Sequence, residues 1–118
     1  EKQHGWLFGG YAARSWESAG TFCRDDGAFV FSLTNPHGRP PTRFDVAMPQ
    51  DALYGKASWG PSFYYGVYCA DGGSTNKKSN CKIGYGTYRD VWGTGSATFT
   101  GEGYFTYADV IVFGVRGA

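Results

Sequence analysis

The sequence predicts one mainly β domain, an antiparallel β-sandwich with one or two short flanking helices. Its 118 residues fit a single hydrophobic core, since chains usually divide into domains only beyond ~100–200 residues. Glycine occurs 19 times and Trp, Tyr and Phe together 22 times, against only 12 Leu, Ile and Val. Glycine costs ~1 kcal/mol inside a helix, whereas aromatic residues suit short strands. We therefore expect an aromatic core between strands.

The predicted strands are separated by turns roughly every 8–12 residues, a spacing typical of a sandwich. In chain order they cover residues 6–11, 28–33, 44–48, 52–58, 63–70, 82–88, 97–100 and 109–115. The Asn-Pro-His-Gly turn joins strands 28–33 and 44–48 into a hairpin. Residues 12–19 predict a short helix or irregular turn.

The most apolar strand positions predict the core. It is expected to contain Phe29, Phe31, Val110, Val112 and either Trp6 or Phe8, with Trp16 beneath the first bend. Each buried ring removes ~150–250 Å² from water, so a few aromatic residues can stabilise a domain of this size.

Composition also argues against several classes of function. The formal net charge is +1, without the basic excess of nucleic-acid-binding proteins. No stretch approaches the ~18 apolar residues of a membrane span. The chain begins at Glu1 without an initiator Met, so we expect a processed product, in keeping with secretion. An extracellular location is the prediction, and a cytoplasmic one is the alternative.

Four separated landmarks resemble the TLDc domain family. They are Trp-Leu-Phe-Gly-Gly-Tyr at 6–11 with Ser15-Trp16, the segment 28–35, Gly-Pro-Ser-Phe at 60–63 and Asp-Val-Ile-Val-Phe at 109–113. The resemblance covers residues 6–115 and is closest to the small type found in invertebrate proteins. It implies an antiparallel β-sandwich flanked by short helices.

The chain departs from that family pattern in two places. It starts without the N-terminal helical segment that usually precedes the first landmark, and Tyr64-Tyr65-Gly66 replaces the usual glycine-acidic segment. The first departure is expected to uncover a sheet edge that another chain can pair with. We therefore expect a structural module of an extracellular matrix or silica-type filament. The family's intracellular roles, protection against oxidative stress and binding to the proton-pumping ATPase, are an alternative.

No motif for catalysis stands out. His4 lies near the N-terminus and His37 in a turn, where both are expected to be solvated rather than oriented for nucleophilic catalysis. We therefore predict a non-enzymatic protein without a cofactor. A weak calcium candidate is the Asp25-Asp26 pair, although a solvated turn is the usual role of Asp-Asp-Gly.

Aromatic residues beside turns predict a binding surface. The candidates are Trp59, Tyr64, Tyr65 and Trp92. Trp and Tyr dominate interface energetics, so a protein partner in a larger assembly is the prediction. The same rings suit the apolar face of a sugar, which makes a carbohydrate-binding lectin the alternative.

A polar loop covers residues 71–80 between two cysteines. Its hydroxyl and ammonium groups suggest contact with an anion or a mineral surface; they belong to Ser74, Thr75, Lys77, Lys78 and Ser79. A solvated loop tip is the alternative. A disulfide between Cys69 and Cys81 would close a loop of about 13 residues and stabilise it by roughly 3 kcal/mol. The alternative is two free thiols, and Cys23 is the odd cysteine.

Overall fold

The computed structural model describes residues 5–13, 19–56, 62–68, 78–83 and 85–107. Its strands, in chain order, are β1 Leu7–Tyr11, β2 Ala19–Cys23, β3 Phe29–Thr34, β4 Thr42–Asp45, β5 Leu53–Lys56, β6 Val67–Tyr68, β7 Ser79–Cys81 and β8 Tyr104–Phe105. Short 3-10 helices cover Pro49–Asp51 and Gly95–Ala97. The predicted mainly β, antiparallel class is confirmed.

The strands form three small antiparallel sheets. Their orders are β1-β3-β4, β2-β5 and β6-β7-β8. The predicted hairpin is present in β3 and β4, but its second strand lies at Thr42–Asp45 instead of 44–48. Isolated bridges tie the sheets together, from Val46 to Tyr88 and from Leu53 to Phe63.

Asn35 organises the turn of this hairpin. Its side-chain oxygen accepts hydrogen bonds from the N–H groups of His37 at 3.0 Å and Arg39 at 3.1 Å. Its amide donates to Ser32 Oγ at 3.2 Å and to the Arg39 carbonyl at 2.9 Å. His37 Nε2 lies 2.7 Å from the Ala97 carbonyl oxygen. The prediction of a solvated His37 is therefore wrong, because a carbonyl sixty residues along the chain, at the end of the 3-10 helix Gly95–Ala97, holds its ring.

The core is aromatic. Five of the twelve buried apolar residues in the described part are Phe or Tyr: Phe44, Phe63, Tyr88, Phe99 and Phe105. The ring of Phe44 meets that of Phe99 edge-on, with centroids 5.8 Å apart. The Tyr88 hydroxyl donates to the Ala52 carbonyl at 2.6 Å, which satisfies a polar group that burial would otherwise penalise.

The strand β3 buries the face opposite to the predicted one. Val30 and Ser32 are fully buried, whereas Phe29 and Phe31 are half-buried on the other face. The guanidinium of Arg43 lies 3.9 Å from the centre of the Phe29 ring. Side chains alternate along a strand, so the assignment of Phe29 and Phe31 to the buried core is wrong by one residue.

Of the other predicted core residues, Phe8 packs against the core, and its ring stacks on Phe99 with centroids 4.9 Å apart. Trp16, Val110 and Val112 lie outside the described residues, as does the predicted strand 109–115.

Several predicted strands are interrupted. The predicted strand 63–70 is described as far as residue 68. There the chain turns back on itself, because Gly66 N–H donates to the Phe63 carbonyl at 2.6 Å, and of residues 63–68 only Val67 and Tyr68 are in a named strand. The described residues of the predicted strand 82–88 lie mostly in bends and turns. The segment 97–100 follows a 3-10 helix and is also turn. The strands β2, β7 and β8 were not predicted.

Candidate functional site

Five aromatic side chains from four parts of the chain meet at the surface and form what we call the aromatic strip. Its members are Phe22, Tyr54, Tyr64, Tyr65 and Tyr85. The antiparallel pairing of β2 with β5 sets Phe22 opposite Tyr54, and their ring centroids lie 5.1 Å apart. The ring of Tyr64 completes this group, 4.7 Å from that of Phe22.

The strip continues from Tyr64 to Tyr65 and then to Tyr85, with ring centroids 4.2 Å and 4.8 Å apart. The side of the strip toward solvent is open. Tyr85 is 61% exposed and Phe22 is 43% exposed, while the other three side chains are half-buried. Exposed rings in contact with one another are a feature of binding surfaces, since they offer large apolar area with few rotatable bonds.

The turn that carries Tyr64 and Tyr65 has an unusual backbone. Tyr65 has a φ of 55° and is the one residue other than glycine with positive φ in the part of the chain that the structure describes. This left-handed conformation costs a residue with a Cβ about 1–2 kcal/mol. Hydrogen bonds from Gly66 N–H to Phe63 O and from Phe63 N–H to Val67 O, at 2.6 and 2.9 Å, hold the turn. The strained residue is also the one whose ring joins the two halves of the strip.

Opposite charges lie at different places along the strip. The Lys82 ammonium lies 5.9 Å from the centre of the Tyr65 ring and 5.8 Å from that of Tyr85. Asp51 lies near Tyr64 instead, because the Tyr64 N–H donates to the carbonyl of the next residue, Ala52, at 3.0 Å. The pKa of Tyr64 is raised, first by its hydrogen bond with Tyr65, then by partial burial and by nearby negative charge that includes Asp51. Tyr64 is therefore a neutral phenol at neutral pH.

The structure does not bring Trp92 into this strip. The indole packs against the core with its centroid 5.0 Å from Phe44 and 6.0 Å from His37, and the Arg39 guanidinium lies over it at 5.8 Å. The prediction that Trp92 joins Tyr64 and Tyr65 in one surface is wrong. The fourth candidate, Trp59, lies outside the described residues.

Only part of the predicted mineral-binding loop is described. Lys78 is exposed, as that prediction requires. Ser79 is fully buried in β7, where it pairs with Phe105 of β8. Its assignment to a mineral surface is therefore wrong, because a strand begins at Ser79, three residues before the predicted start at residue 82. Ser74, Thr75 and Lys77 lie outside the described residues.

Cys81 is a free thiol in the structure, so the predicted disulfide with Cys69 is absent from it. The Cys81 side chain is fully buried, and its Sγ lies 3.9 Å from the Gly95 carbonyl oxygen. Burial raises its pKa to about 11, which keeps the thiol neutral and unreactive. Cys69 lies outside the described residues, and Cys23 is a half-buried free thiol.

The two carboxylates of the calcium candidate are in different environments. Asp25 is buried, and its Oδ1 accepts a hydrogen bond from Gly27 N–H at 2.9 Å. Asp26 is exposed and forms an ion pair with Arg24 at 2.9 Å. Within the described ranges, no three His, Cys, Asp or Glu side chains gather as metal ligands. Asp25 therefore stabilises the turn that contains Gly27, and Asp26 pairs with Arg24.

Sequence reasoning missed three members of the strip: Phe22, Tyr54 and Tyr85. A signal for Tyr85 exists, since it stands between Gly84 and Gly86. Glycines on both sides favour an exposed loop tip over the strand that was predicted there. Phe22 and Tyr54 carry no comparable local signal.

Comparison with known proteins found no matching family model, no matching curated protein and no matching solved structure. The resemblance to the TLDc family therefore stays a prediction. Among the described residues, no helix has the length and apolar character needed to cross a membrane.

Proposed function

We propose that this chain is a non-enzymatic binding module that joins a larger protein assembly through the aromatic strip. The observation that carries the proposal is the unbroken series of ring contacts from Phe22 to Tyr85, with the rings at both ends open to solvent. Trp, Tyr and Arg are the residues most often found to dominate binding energy at protein interfaces. Four of the five strip residues are tyrosines.

The uneven shape of the strip favours a protein as its binding partner over a sugar. A sugar stacks on the flat face of a ring or on several rings in one plane. Here the Tyr64 and Tyr65 rings are inclined by 32°, Tyr65 and Tyr85 by 42°, and Phe22 and Tyr64 by 90°. Inclined rings form a surface of ridges and hollows, which suits the side chains of a partner protein.

Charge favours a second copy of the same chain as the partner. Lys82 lies at the Tyr65–Tyr85 part of the strip, and the negative charge of Asp51 lies near Tyr64. In a dimer with a twofold axis, the same strip of both copies forms the interface, and the two strips run in opposite directions. The Lys82 of one copy can therefore lie against the Asp51 of the other. A net charge of only +1 adds little repulsion between copies. A specific contact of this kind should bury at least ~1,000 Å².

Sedimentation velocity over a range of protein concentrations tests this proposal. Tyr85→Ala should weaken self-association, because it removes the most exposed ring of the strip. Tyr104→Ala is the matched control, since Tyr104 is also exposed, at 52%, and lies outside the strip. Lys82→Glu should weaken association as well, and the double variant with Asp51→Lys should restore it.

Two results would overturn the proposal. One is a monomer at every concentration for the wild-type chain. The other is association that Tyr104→Ala and Tyr85→Ala weaken equally. Tight binding of the monomer to a glycan array, lost in Tyr85→Ala, would favour the lectin instead.

We further propose an extracellular matrix or silica-type filament as the setting, with the segment around Lys78 facing the mineral. The support is the exposed ammonium of Lys78 next to a hydroxyl-rich stretch of sequence. Silica adsorption should decrease in the Lys77→Ala/Lys78→Ala double variant and should be unchanged in Arg89→Ala, since Arg89 is exposed and lies outside both the loop and the strip. Equal adsorption of all three proteins would contradict this setting and favour a cytoplasmic one, with which the free Cys81 thiol is compatible.

A further inference from the structure

Tyr65 and Tyr85 bring two phenol rings together from segments that are far apart in the sequence. Their ring centroids lie 4.8 Å apart, and the ring planes are inclined by 42°. This separation is comparable with that of two aromatic rings joined by a direct carbon–carbon bond. The two phenol rings are therefore in contact, as a bond between the carbons next to their hydroxyl groups requires.

The backbone around each ring keeps this pair together. Tyr65 is fixed in the tight turn closed by the Gly66 N–H to Phe63 O hydrogen bond. Tyr85 is positioned by its own N–H, which donates to the Lys82 carbonyl at 3.3 Å. Backbone hydrogen bonds thus hold the segments that carry both rings, and Tyr85 at 61% exposure is the most exposed large apolar side chain of the described residues.

We propose that Tyr65 and Tyr85 are a modification site at which a peroxidase-class enzyme, using hydrogen peroxide, joins the two rings as a dityrosine. Each phenol loses one electron and its hydroxyl proton and becomes a phenoxyl radical. The two radicals form one carbon–carbon bond between the ring carbons adjacent to the hydroxyls. The hydrogens on those carbons then return to the oxygens, which restores both phenols. The two electrons and two protons reduce one hydrogen peroxide to two water molecules.

Other tyrosine pairs fit this reaction less well. The rings of Tyr64 and Tyr65 are closer, at 4.2 Å, but they belong to consecutive residues whose short backbone link restricts an in-plane approach. The rings of Tyr54 and Tyr64 are 6.2 Å apart. The bond between Tyr65 and Tyr85 would cross-link the 63–67 hairpin to the 82–88 turn and would lock the strained backbone of Tyr65 in place.

The experiment is brief oxidation with peroxidase and hydrogen peroxide at a protein concentration where the chain is monomeric. This choice makes the outcome independent of self-association through the strip. The expected product is a monomer that has lost two hydrogens and has gained dityrosine fluorescence. Peptide mapping should place the cross-link between Tyr65 and Tyr85, and the oxidised protein should unfold at a higher temperature.

Conservative variants provide the controls. Tyr65→Phe and Tyr85→Phe should each lose most of the fluorescence, because phenylalanine cannot form the phenoxyl radical. Tyr104→Phe should retain it, since Tyr104 is exposed but lies outside the strip. Unchanged fluorescence in Tyr85→Phe, a cross-link mapped to another pair, or a product made only of covalent dimers would overturn the proposal.

Discussion

The core and the aromatic strip are built from the same residue types and similar ring contacts. In the core, Phe44 and Phe99 meet edge-on with their ring planes at 84°, and in the strip Phe22 and Tyr64 meet at 90°. Yet Phe44 and Phe99 are fully buried, while Phe22 is 43% exposed. The difference is that other residues cover the core rings on all sides, whereas one side of the strip faces solvent.

The tyrosine hydroxyls show the same contrast. In the core, the Tyr88 hydroxyl donates to the Ala52 carbonyl, and burial raises its pKa, with nearby Asp25 adding to the effect. In the strip, the half-buried ring of Tyr64 packs against that of the neighbouring Tyr65, with centroids 4.2 Å apart. A buried tyrosine hydroxyl needs a hydrogen-bond partner, and the Ala52 carbonyl supplies one to Tyr88 in the core. The comparison implies that core variants change stability and strip variants change binding.

The largest expected effect is that of Phe44→Ala in the core. It should lower the free energy of unfolding by about 3–5 kcal/mol, because it removes a fully buried ring and leaves a cavity. Urea unfolding followed by circular dichroism measures this. Phe31→Ala is the matched control, since Phe31 is half-buried on the opposite face of β3, and it should cost less. An equal loss in the two variants would mean that both faces of this sheet are equally well covered.

Gly10→Ala tests how closely the core is packed against β1. A Cβ at Gly10 would lie 2.5 Å from the ring of Phe63, which is itself buried, so the free energy of unfolding should fall by about 1–3 kcal/mol. Gly9→Ala is the comparison on the other face. There the Cβ would lie 2.9 Å from Phe31, a half-buried ring that is able to move. The thermal midpoint of Gly9→Ala should be higher than that of Gly10→Ala. The reverse order would contradict the assignment of the two faces of β1.

Alkaline pH should weaken the core through Cys81. Its pKa is about 11 in the folded chain against an ordinary value of 9.0, because burial disfavours the thiolate. The unfolded chain therefore loses this proton first, and stability falls as the pH rises from 9 toward 11. Wild-type protein should lose about 2 kcal/mol more over this range than Cys81→Ala. Urea unfolding at pH 9, 10 and 11 measures the difference, and a Cys23→Ala profile with the wild-type slope is the control.

The smallest expected effect concerns the strained turn of the strip. Tyr65→Asn and Tyr65→Ala both remove the ring, but asparagine tolerates the positive φ of this position better than alanine. The asparagine variant should therefore be more stable than the alanine variant, by up to about 1 kcal/mol. Equal thermal midpoints would show that the turn relaxes out of the left-handed conformation once the ring is gone.

Local sequence patterns predicted the elements that neighbouring residues specify. The strand at Leu7–Tyr11 and the hairpin of β3 and β4 are present. The hairpin depends on a turn-forming segment in which Asn35 bonds to residues two and four positions along the chain. The strands β2, β7 and β8 were missed. The strands β7 and β8 have only three and two residues, and the glycine-containing β2 takes its pairing from β5, about thirty residues away.

The candidate site was predicted in part. Tyr64 and Tyr65 belong to the aromatic strip, and Trp92 does not. The aromatic excess in the composition indicated that some rings would be exposed, but it does not say which. That selection depends on pairings between distant strands, such as the one that brings Phe22 beside Tyr54.

The sequence by itself determined the fold class and the residue types that form the core. Many glycines and aromatic residues with few Leu, Ile and Val require short strands around aromatic rings, and the structure has both. The tertiary structure alone decided which face of β3 is buried. Alternation along a strand produces two faces, and here one carries Phe29 and Phe31 and the other Val30 and Ser32. The more apolar face is not the buried one, because the cover comes from Phe44 and its distant neighbours, which local periodicity does not describe.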